Sequence, residues 1–165
     1  MLDTHELGRR PGSQRLVERT APAPADLGID MLGVPPGSDI VLDLRLESVM
    51  EGVLVSGTGA VRLAGQCARC LEPIADSLVV DLQELYVYPG SDATEDEASR
   101  LADDLIDLEP LLRDAVVLAL PFNPLCSPDC PGLCPECGAR LADDPEHEHG
   151  ETIDPRWAAL RDLDR

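Results

Sequence analysis

The sequence predicts an α+β protein, in which a small antiparallel β-meander or partial barrel is packed by one main helix and followed by a cysteine-rich loop. Three features support this prediction. Apolar residues alternate between positions 40 and 89, a helical apolar run follows between 107 and 120, and six cysteines accompany these two regions. A length of 165 residues suits one compact domain better than two.

The three predicted strands follow one another closely. "IVLDLRLESV" places Ile40, Leu42, Leu44 and Leu46 on one face at a period of two residues, and "GVLVSGTGAVRL" follows after a short turn. The third strand is "DSLVVDLQELYVY". We therefore expect the intervening "GQCARCLEPI" at or near the turn between two antiparallel strands.

The main helix is predicted to begin after Asp107, which can act as its N-cap, and to tolerate Pro110 in its first turn. Apolar residues then recur at helical spacing until "LPFNP" ends the run, so this helix should be buried against the sheet. The same signals predict a short helix in the tail, with Asp154 as N-cap and Pro155 at the first helical position.

Composition divides the chain into five regions. A basic, Pro/Gly-rich N-terminal arm precedes the antiparallel β region, which contains the first cysteine pair. An acidic loop, the buried helix with its cysteine-rich loop, and an acidic tail follow. The acidic loop has few apolar anchors, so we expect it to be mobile. The predicted bounds are 1–38, 39–90, 91–104, 105–141 and 142–165.

The charge of the chain restricts its partners. The formal net charge is −19, and every basic residue apart from the histidines is an arginine. Such an excess of acid disfavours a surface that follows nucleic-acid phosphates, and it favours a basic protein as partner. The sequence contains neither the apolar region of a signal peptide nor a membrane span of roughly 20 apolar residues, so a cytoplasmic location is expected.

The cysteines include two C-x2-C pairs. Cys67 and Cys70 lie on the predicted hairpin, and Cys134 and Cys137 belong to a C-P-x-C-G sequence typical of a zinc knuckle. In such a knuckle, turn-favouring residues let backbone N–H groups point at thiolate sulfur. Two pairs make the four-sulfur tetrahedral set of a structural zinc site. One Zn²⁺ bound by these four cysteines is the preferred prediction, and it makes the loop zinc-ribbon-like.

Other ligand sets remain open, because Cys126 and Cys130 supply two further thiols. The alternatives join this third pair either to the C-x2-C pair of the loop or to that of the hairpin. Six thiols cannot fill two four-sulfur sites, so some are free or His147 and His149 contribute. The polar sequence around both histidines, "DDPEHEHGE", predicts that they are solvated. Six reduced cysteines without a metal would leave the prolines and glycines at these spacings unexplained.

Catalytic chemistry has less support. Cys130-x3-Cys134-x2-Cys137 matches the spacing that holds an iron–sulfur cluster in radical enzymes, but too little chain remains to build the large barrel those enzymes need. The sequence has no glycine-rich phosphate loop, and its three histidines lie in polar terminal segments. We therefore expect a non-enzymatic protein, with a thiol-based redox or metal-dependent enzyme as the alternative.

Segments along nearly the whole chain carry a resemblance to a known family. They are "PGSQRLVER", "LRLESVMEGVLVSGTG", "CARCLEPI", "DLQELYVYP", "IDLEPLLRDAVVLALPFNPLCSPDCPGLCPECGARL" and "IDPRWAAL". Together they resemble the YceD-like family, named for large ribosomal RNA subunit accumulation, in its actinobacterial form with extra C-terminal cysteines. The resemblance implies a non-enzymatic role in accumulating large-subunit ribosomal RNA, and hence in ribosome biogenesis.

Two kinds of partner suit this role. The acidic surface, including residues 92–97, would attract a basic large-subunit ribosomal protein or a pre-ribosomal particle. Direct RNA contact by a zinc-ribbon protein would instead depend on the arginines between positions 9 and 19, against the overall charge. Only four aromatic residues are available to stack on bases. The sequence thus favours a protein partner, and RNA contact is the second alternative.

Overall fold

The structure is a computed structural model that describes residues 1–90, 99–149 and 156. These residues form nine strands, a 3₁₀ turn at His5–Leu7 and the helix α1 at Glu109–Ala119. The strands are β1 (Leu2–Asp3), β2 (Gln14–Pro22), β3 (Gly28–Ile29), β4 (Leu32–Gly33), β5 (Asp39–Ser48), β6 (Gly52–Gln66), β7 (Pro73–Val87), β8 (Ser99–Arg100) and β9 (Leu105–Ile106). The predicted α+β class, mostly antiparallel sheet with one helix, is confirmed among the described residues.

The main sheet is organised around β6. β7 pairs with it antiparallel along its whole length, so that Gln66 lies opposite Pro73 at the end where the cysteine turn begins. On the other side of β6, β5 pairs with residues 53–60 and β4 with residues 64–65. β2 lies outside β5, and β8 adds a short parallel pairing beside β7. The predicted three-strand meander therefore forms the centre of this sheet.

The core lies between one face of the sheet and α1. The apolar residues that alternate along β5, Ile40, Leu42, Leu44 and Leu46, are all buried. Asp107 Oδ1 accepts a hydrogen bond from the N–H of Glu109 at 3.1 Å, which satisfies one free donor at the start of the helix. Leu112 and Val116 of α1 are buried against the sheet, in agreement with the predicted packing of this helix. The chain then leaves the end of α1 toward the cysteine-rich loop.

The segment for which composition predicted an arm contributes strands to the sheet. Nine residues of β2 pair with β5, from Gln14 opposite Glu47 to Pro22 opposite Asp39. β2 is an edge strand, and Leu16 on its outer face is 77% exposed. Pro22 has no N–H to donate, which an edge strand tolerates at its end. An exposed edge strand lacks the alternation of buried apolar residues by which the central strands were predicted.

Two other predicted regions lie partly outside the described residues. Of the acidic loop predicted for 91–104, residues 91–98 are not described, whereas Ser99–Arg100 pairs with β7 and Leu101 is buried. The predicted tail helix capped by Asp154 also lies outside the described residues. Within the part of the chain that the structure describes, no helix has the length and apolar character needed to cross a membrane.

Candidate metal centres

The two C-x2-C pairs fold into turns with the same backbone hydrogen bonds. We call residues 67–71 the first knuckle and residues 134–138 the second knuckle. In each, the N–H of the first cysteine donates to the carbonyl five residues later, at 2.8 and 2.7 Å. The N–H four residues later donates back to the first cysteine's carbonyl at 2.9 Å in both. Each knuckle ends in the left-handed region, with φ of +61° at Leu71 and +72° at Gly138.

The first knuckle faces the remaining cysteine pair. Cys67 Sγ lies 3.7 Å from Cys130 Sγ, and Cys70 Sγ lies 3.6 Å from Cys126 Sγ. These distances are close to the sulfur–sulfur edge of about 3.8 Å that Zn–S bonds of 2.3 Å give in a tetrahedron. Three of the thiols are buried and Cys126 is exposed. We call these residues the four-cysteine group; their arrangement fits a closed structural metal site.

Backbone groups favour the thiolate form of one member of this group. Burial raises the pKa of the Cys67 thiol, but the N–H groups of Cys126, Cys70 and Arg69 stabilise the thiolate and lower the pKa by more. The result is a pKa of about 6 instead of 9.0. Because metals bind the thiolate, this thiol is prepared for coordination near neutral pH.

The loop after α1 is attached to the hairpin turn by backbone contacts. The N–H of Ala68 donates to the carbonyl of Pro124 at 2.8 Å, and Arg69 Nη1 donates to the carbonyl of Cys130 at 2.9 Å. At Gly132 φ is +83°, and a Cβ there would lie 3.3 Å from the carbonyl oxygen of Arg69. The fold thus brings thiols from two distant parts of the chain to one point.

The second knuckle faces two histidines. The Nε2 atoms of His147 and His149 each lie 3.2 Å from Cys137 Sγ and 2.9 Å from one another. The ligand atoms of Cys134, Cys137 and both histidines all lie within 4.8 Å of one another. N–H groups of the knuckle, those of Cys137 and Glu136 above all, lower the pKa of Cys134 from 9.0 to about 7. We call these four ligands the cysteine–histidine group.

One ion pair connects the two groups. Arg140, two residues beyond the second knuckle, lies with Nη1 3.0 Å from Oε1 of Glu72, which directly follows the first knuckle. Arg140 also forms an isolated β-bridge with Leu133, which closes the second knuckle into a small hairpin. The two groups are therefore adjacent, and each has its own set of ligand atoms.

The structure divides the predicted ligands differently from the preferred set. It does not bring Cys67 and Cys70 together with Cys134 and Cys137, because each knuckle faces another pair. Of the sets left open by the sequence, the one that joins the first knuckle to the third cysteine pair is brought together. Both histidines were predicted to be solvated; His147 is half-buried and His149 is exposed, and both rings face Cys137.

A sequence signal for these histidines exists. The H-x-H pair begins ten residues after Cys137, so a short loop can return both rings to the thiols of the second knuckle. Six thiols also fall two ligands short of two four-ligand sites. Two histidines would supply the two missing ligands and give a Cys₂His₂ set. The composition of the chain allowed this set but did not require it.

Fold and site together define a class: a small α+β protein whose sheet and helix are joined by cysteine-rich turns with metal-ligand spacing. Residues 55–164 match the family described as large ribosomal RNA subunit accumulation protein YceD, and the chain belongs to that family. The resemblance found in the sequence is thereby confirmed. The family description also agrees with a ribosome-related role and does not describe an enzyme.

Relatives extend across several bacteria. An uncharacterized protein of Mycobacterium tuberculosis is 51% identical over 166 residues, which cover 98% of this chain and 80% of that protein. An uncharacterized protein of Mycobacterium leprae is 42% identical over 167 residues, 99% of this chain and 76% of that protein. The uncharacterized protein YlbN of Bacillus subtilis is 28% identical over 123 residues, 73% of this chain and 69% of YlbN. No solved structure matches the chain significantly.

Proposed function

We propose that this protein is a cytoplasmic, non-enzymatic ribosome biogenesis factor that supports accumulation of large-subunit ribosomal RNA. Its partner is a basic large-subunit ribosomal protein or a pre-ribosomal particle that contains one. The observation that carries the proposal is the family match over residues 55–164, whose description names this accumulation. Two further parts of the proposal are a structural Zn²⁺, supported by the candidate metal centre, and a basic protein partner, supported by the acidic sheet face.

The four-cysteine group is proposed to hold one structural Zn²⁺. Four cysteine sulfurs that lie within 4.8 Å of one another, three of them in buried residues, suit Zn²⁺ in a closed site without an open position for substrate. When bound, the ion would join the turn between β6 and β7 to the loop after α1. The donor set and its burial thus support a role in folding, and this ligand set replaces the one preferred from sequence.

The proposed partner surface is the sheet face opposite α1. Glu18 of β2 lies opposite Asp43 of β5, Asp43 opposite Thr58 of β6, and Thr58 opposite Asp81 of β7. Paired residues point to the same side of a sheet, so the three carboxylates form a line across four strands. We call Glu18, Asp43 and Asp81 the acidic row; all three are exposed.

The acidic row has a chemical character that a basic protein complements. Like charges opposite each other destabilise a sheet, and a cationic partner would relieve this repulsion. In the next row of the same face, Val41 and Val79 are 52% and 65% exposed, so the surface is also partly apolar. A ribosomal protein offers both arginine or lysine and apolar side chains, whereas RNA phosphates would add to the repulsion.

Three of the four arginines that would have to bind RNA make contacts within the protein. Arg9 Nη2 lies 3.1 Å from Asp104 Oδ1, and Arg15 Nη2 lies 3.0 Å from Glu6 Oε2. Arg19 Nη1 donates to a backbone carbonyl at 3.3 Å. These contacts favour the protein partner over direct RNA contact. The acidic residues between 92 and 97, predicted to attract the same partner, lie outside the described residues.

The test neutralises the acidic row by the substitutions Glu18→Gln, Asp43→Asn and Asp81→Asn. We expect the wild-type association rate with purified basic large-subunit ribosomal proteins to fall steeply from low to physiological salt. The triple variant should associate about tenfold more slowly at low salt, because steering by charge is reduced. Removing repulsion from exposed positions should leave the fold intact, which circular dichroism would verify.

A matched control variant changes the net charge by the same amount at positions outside the acidic row. Asp30→Asn, Glu51→Gln and Asp129→Asn remove three exposed carboxylates outside the acidic row and should slow association far less. In cells lacking the protein, the ratio of large- to small-subunit ribosomal RNA should fall, and the control variant should restore it better than the acidic-row variant. An unchanged ratio in the deletion strain would refute the ribosomal role. Tight RNA binding that is lost only with the arm arginines would instead refute the protein partner.

A further inference from the structure

We propose that Cys134, Cys137, His147 and His149 hold a second metal ion, of the Zn²⁺ class, that binds and leaves independently of the four-cysteine group. The sequence left a metal role for these histidines open and favoured solvated side chains, and the proposed ribosomal function does not require this site. The inference rests on four ligand atoms within 4.8 Å of one another, two of which belong to a turn that repeats the first knuckle.

The repeated turn is the first argument. Both knuckles have the same pair of backbone hydrogen bonds, and both end in a residue with positive φ. This geometry directs the two sulfurs of a C-x2-C pair to one side, where two further ligands can complete a tetrahedron. The first knuckle meets two thiols there, and the second knuckle meets two imidazoles. Two thiolates and two imidazoles form one of the recurrent structural zinc sets.

The orientation of the imidazoles is the second argument. Nδ1 of His149 lies 3.4 Å from Glu136 Oε2, and Nδ1 of His147 lies 3.8 Å from Asp144 Oδ2. If each ring carries its proton on Nδ1, toward these carboxylates, a lone pair is left on each Nε2, which is the usual arrangement in metal-bound histidine. The two lone pairs and Cys137 Sγ then converge at 2.9 and 3.2 Å. Converging acceptors of this kind repel one another, and a cation between them removes the repulsion.

The position of the ligands in the chain is the third argument, and it concerns independence. All four ligands lie between residues 134 and 149, after the last described strand and helix. An ion here would fasten the segment 141–149 to the second knuckle without joining parts of the sheet. Cys137 is exposed, so water and chelators can reach the site. Metal loss should therefore open one loop and leave the main core folded.

The experiment measures metal content in the full chain with His147→Ala and His149→Ala combined. We expect the variant to bind one equivalent less Zn²⁺ than wild type, with thermal unfolding of the sheet almost unchanged. When Co²⁺ replaces Zn²⁺, the thiolate charge-transfer absorption should fall by roughly a third, since two of six thiolates lose their metal. His5→Ala, which changes a histidine of the N-terminal 3₁₀ turn, should lose neither metal nor absorption.

A rescue variant distinguishes ligation from a merely structural role. His147→Cys combined with His149→Cys supplies thiolates at the same positions, so it should restore the lost equivalent and raise the absorption by roughly a third above wild type. Unchanged metal content in the His→Ala variant would overturn the proposal. The proposal would also be overturned if the His→Ala variant lost one equivalent of Zn²⁺ and the His→Cys variant did not restore it, although the sheet of the His→Cys variant unfolded as cooperatively as in wild type.

Discussion

The first and second knuckles share one backbone turn but lie in different surroundings. The thiols that face the first knuckle are 56 and 63 residues distant along the chain, and three of the four thiols in that group are buried. The histidines that face Cys137 of the second knuckle are only 10 and 12 residues away and belong to a surface loop. The same local motif therefore contributes to two centres with different consequences for stability.

The ligands that face each knuckle, and not the C-x2-C motif itself, decide which part of the protein a bound metal would stabilise. A cross-link between distant residues restricts the unfolded chain more than one between neighbours, because the entropy of loop closure grows with loop length. The four-cysteine group joins the β6–β7 turn to the loop after α1. The cysteine–histidine group closes only its own loop. If both groups bind metal as proposed, the binding free energy would stabilise the whole fold at the four-cysteine group and only a segment at the cysteine–histidine group.

Substituting one cysteine in each knuckle should separate these roles most strongly. We expect Cys67→Ser to lower the unfolding temperature of the zinc-loaded protein by about 10 °C or more, because a buried ligand and its cross-link are lost. Cys137→Ser, at an exposed ligand of the local group, should lower it by no more than about 3 °C. Differential scanning calorimetry measures both. Equal losses would mean that the two groups stabilise the same unit.

Metal release under chelation should show the next largest difference. We expect a fast phase from the cysteine–histidine group and a phase at least about tenfold slower from the four-cysteine group, because three of its four cysteines are buried and must first become accessible by local opening. Stopped-flow absorbance with a zinc-binding dye would follow both phases. The fast phase should vanish when both loop histidines are replaced by alanine. A single phase of wild-type amplitude in that variant would contradict the assignment.

The central fold could be predicted because its signals are local. In β5, Ile40, Leu42, Leu44 and Leu46 alternate with polar residues, and burial follows this alternation. The edge strand β2 could not be predicted in the same way, since Leu16 points to solvent and the strand buries little. Its pairing depends on the free edge of β5, which exists only after the meander has formed.

For the candidate metal centres, the sequence predicted the two C-x2-C turns but not which ligands face each turn. The C-x2-C spacing determines the backbone of each knuckle, so both turns were expected. Which pair faces which knuckle depends on tertiary structure: the β6–β7 turn lies beside the loop that leaves α1, where Ala68 donates to Pro124. Nothing in the spacing of Cys126 and Cys130 reveals this proximity. The same holds for the return of His147 and His149 to the second knuckle.

Two Gly→Ala substitutions compare how much backbone strain costs where the loop contacts the first knuckle and where the second knuckle ends. Gly132 and Gly138 both have positive φ, but only a Cβ at Gly132 meets another chain segment, 3.3 Å from the Arg69 carbonyl. Gly132→Ala should therefore cost about 2 kcal/mol of unfolding free energy, from strain and displacement of the hairpin turn. Gly138→Ala should cost about 1 kcal/mol or less. Leu71 adopts similar φ at the equivalent position of the first knuckle.

Urea denaturation of the zinc-loaded proteins would measure both costs. The order is the critical result, since positive φ alone predicts equal losses. A greater loss for Gly138→Ala would show that the second knuckle, and not the contact between loop and hairpin, limits stability. It would thereby reverse the comparison between the two regions.

The smallest expected effect concerns the ion pair that connects the two groups. Arg140 and Glu72 lie 3.0 Å apart, but their side chains are 39% and 41% exposed, so solvent screens the pair and its contribution should stay between about 0.2 and 1 kcal/mol. A double-mutant cycle with Arg140→Gln and Glu72→Gln isolates that coupling from the contact of Arg140 with Asp143. The coupling should shrink further as salt rises, and both variants should keep their full metal content. If Arg140→Gln alone releases metal from both groups, the knuckles act as one cooperative unit, and the separation argued from their ligands is wrong.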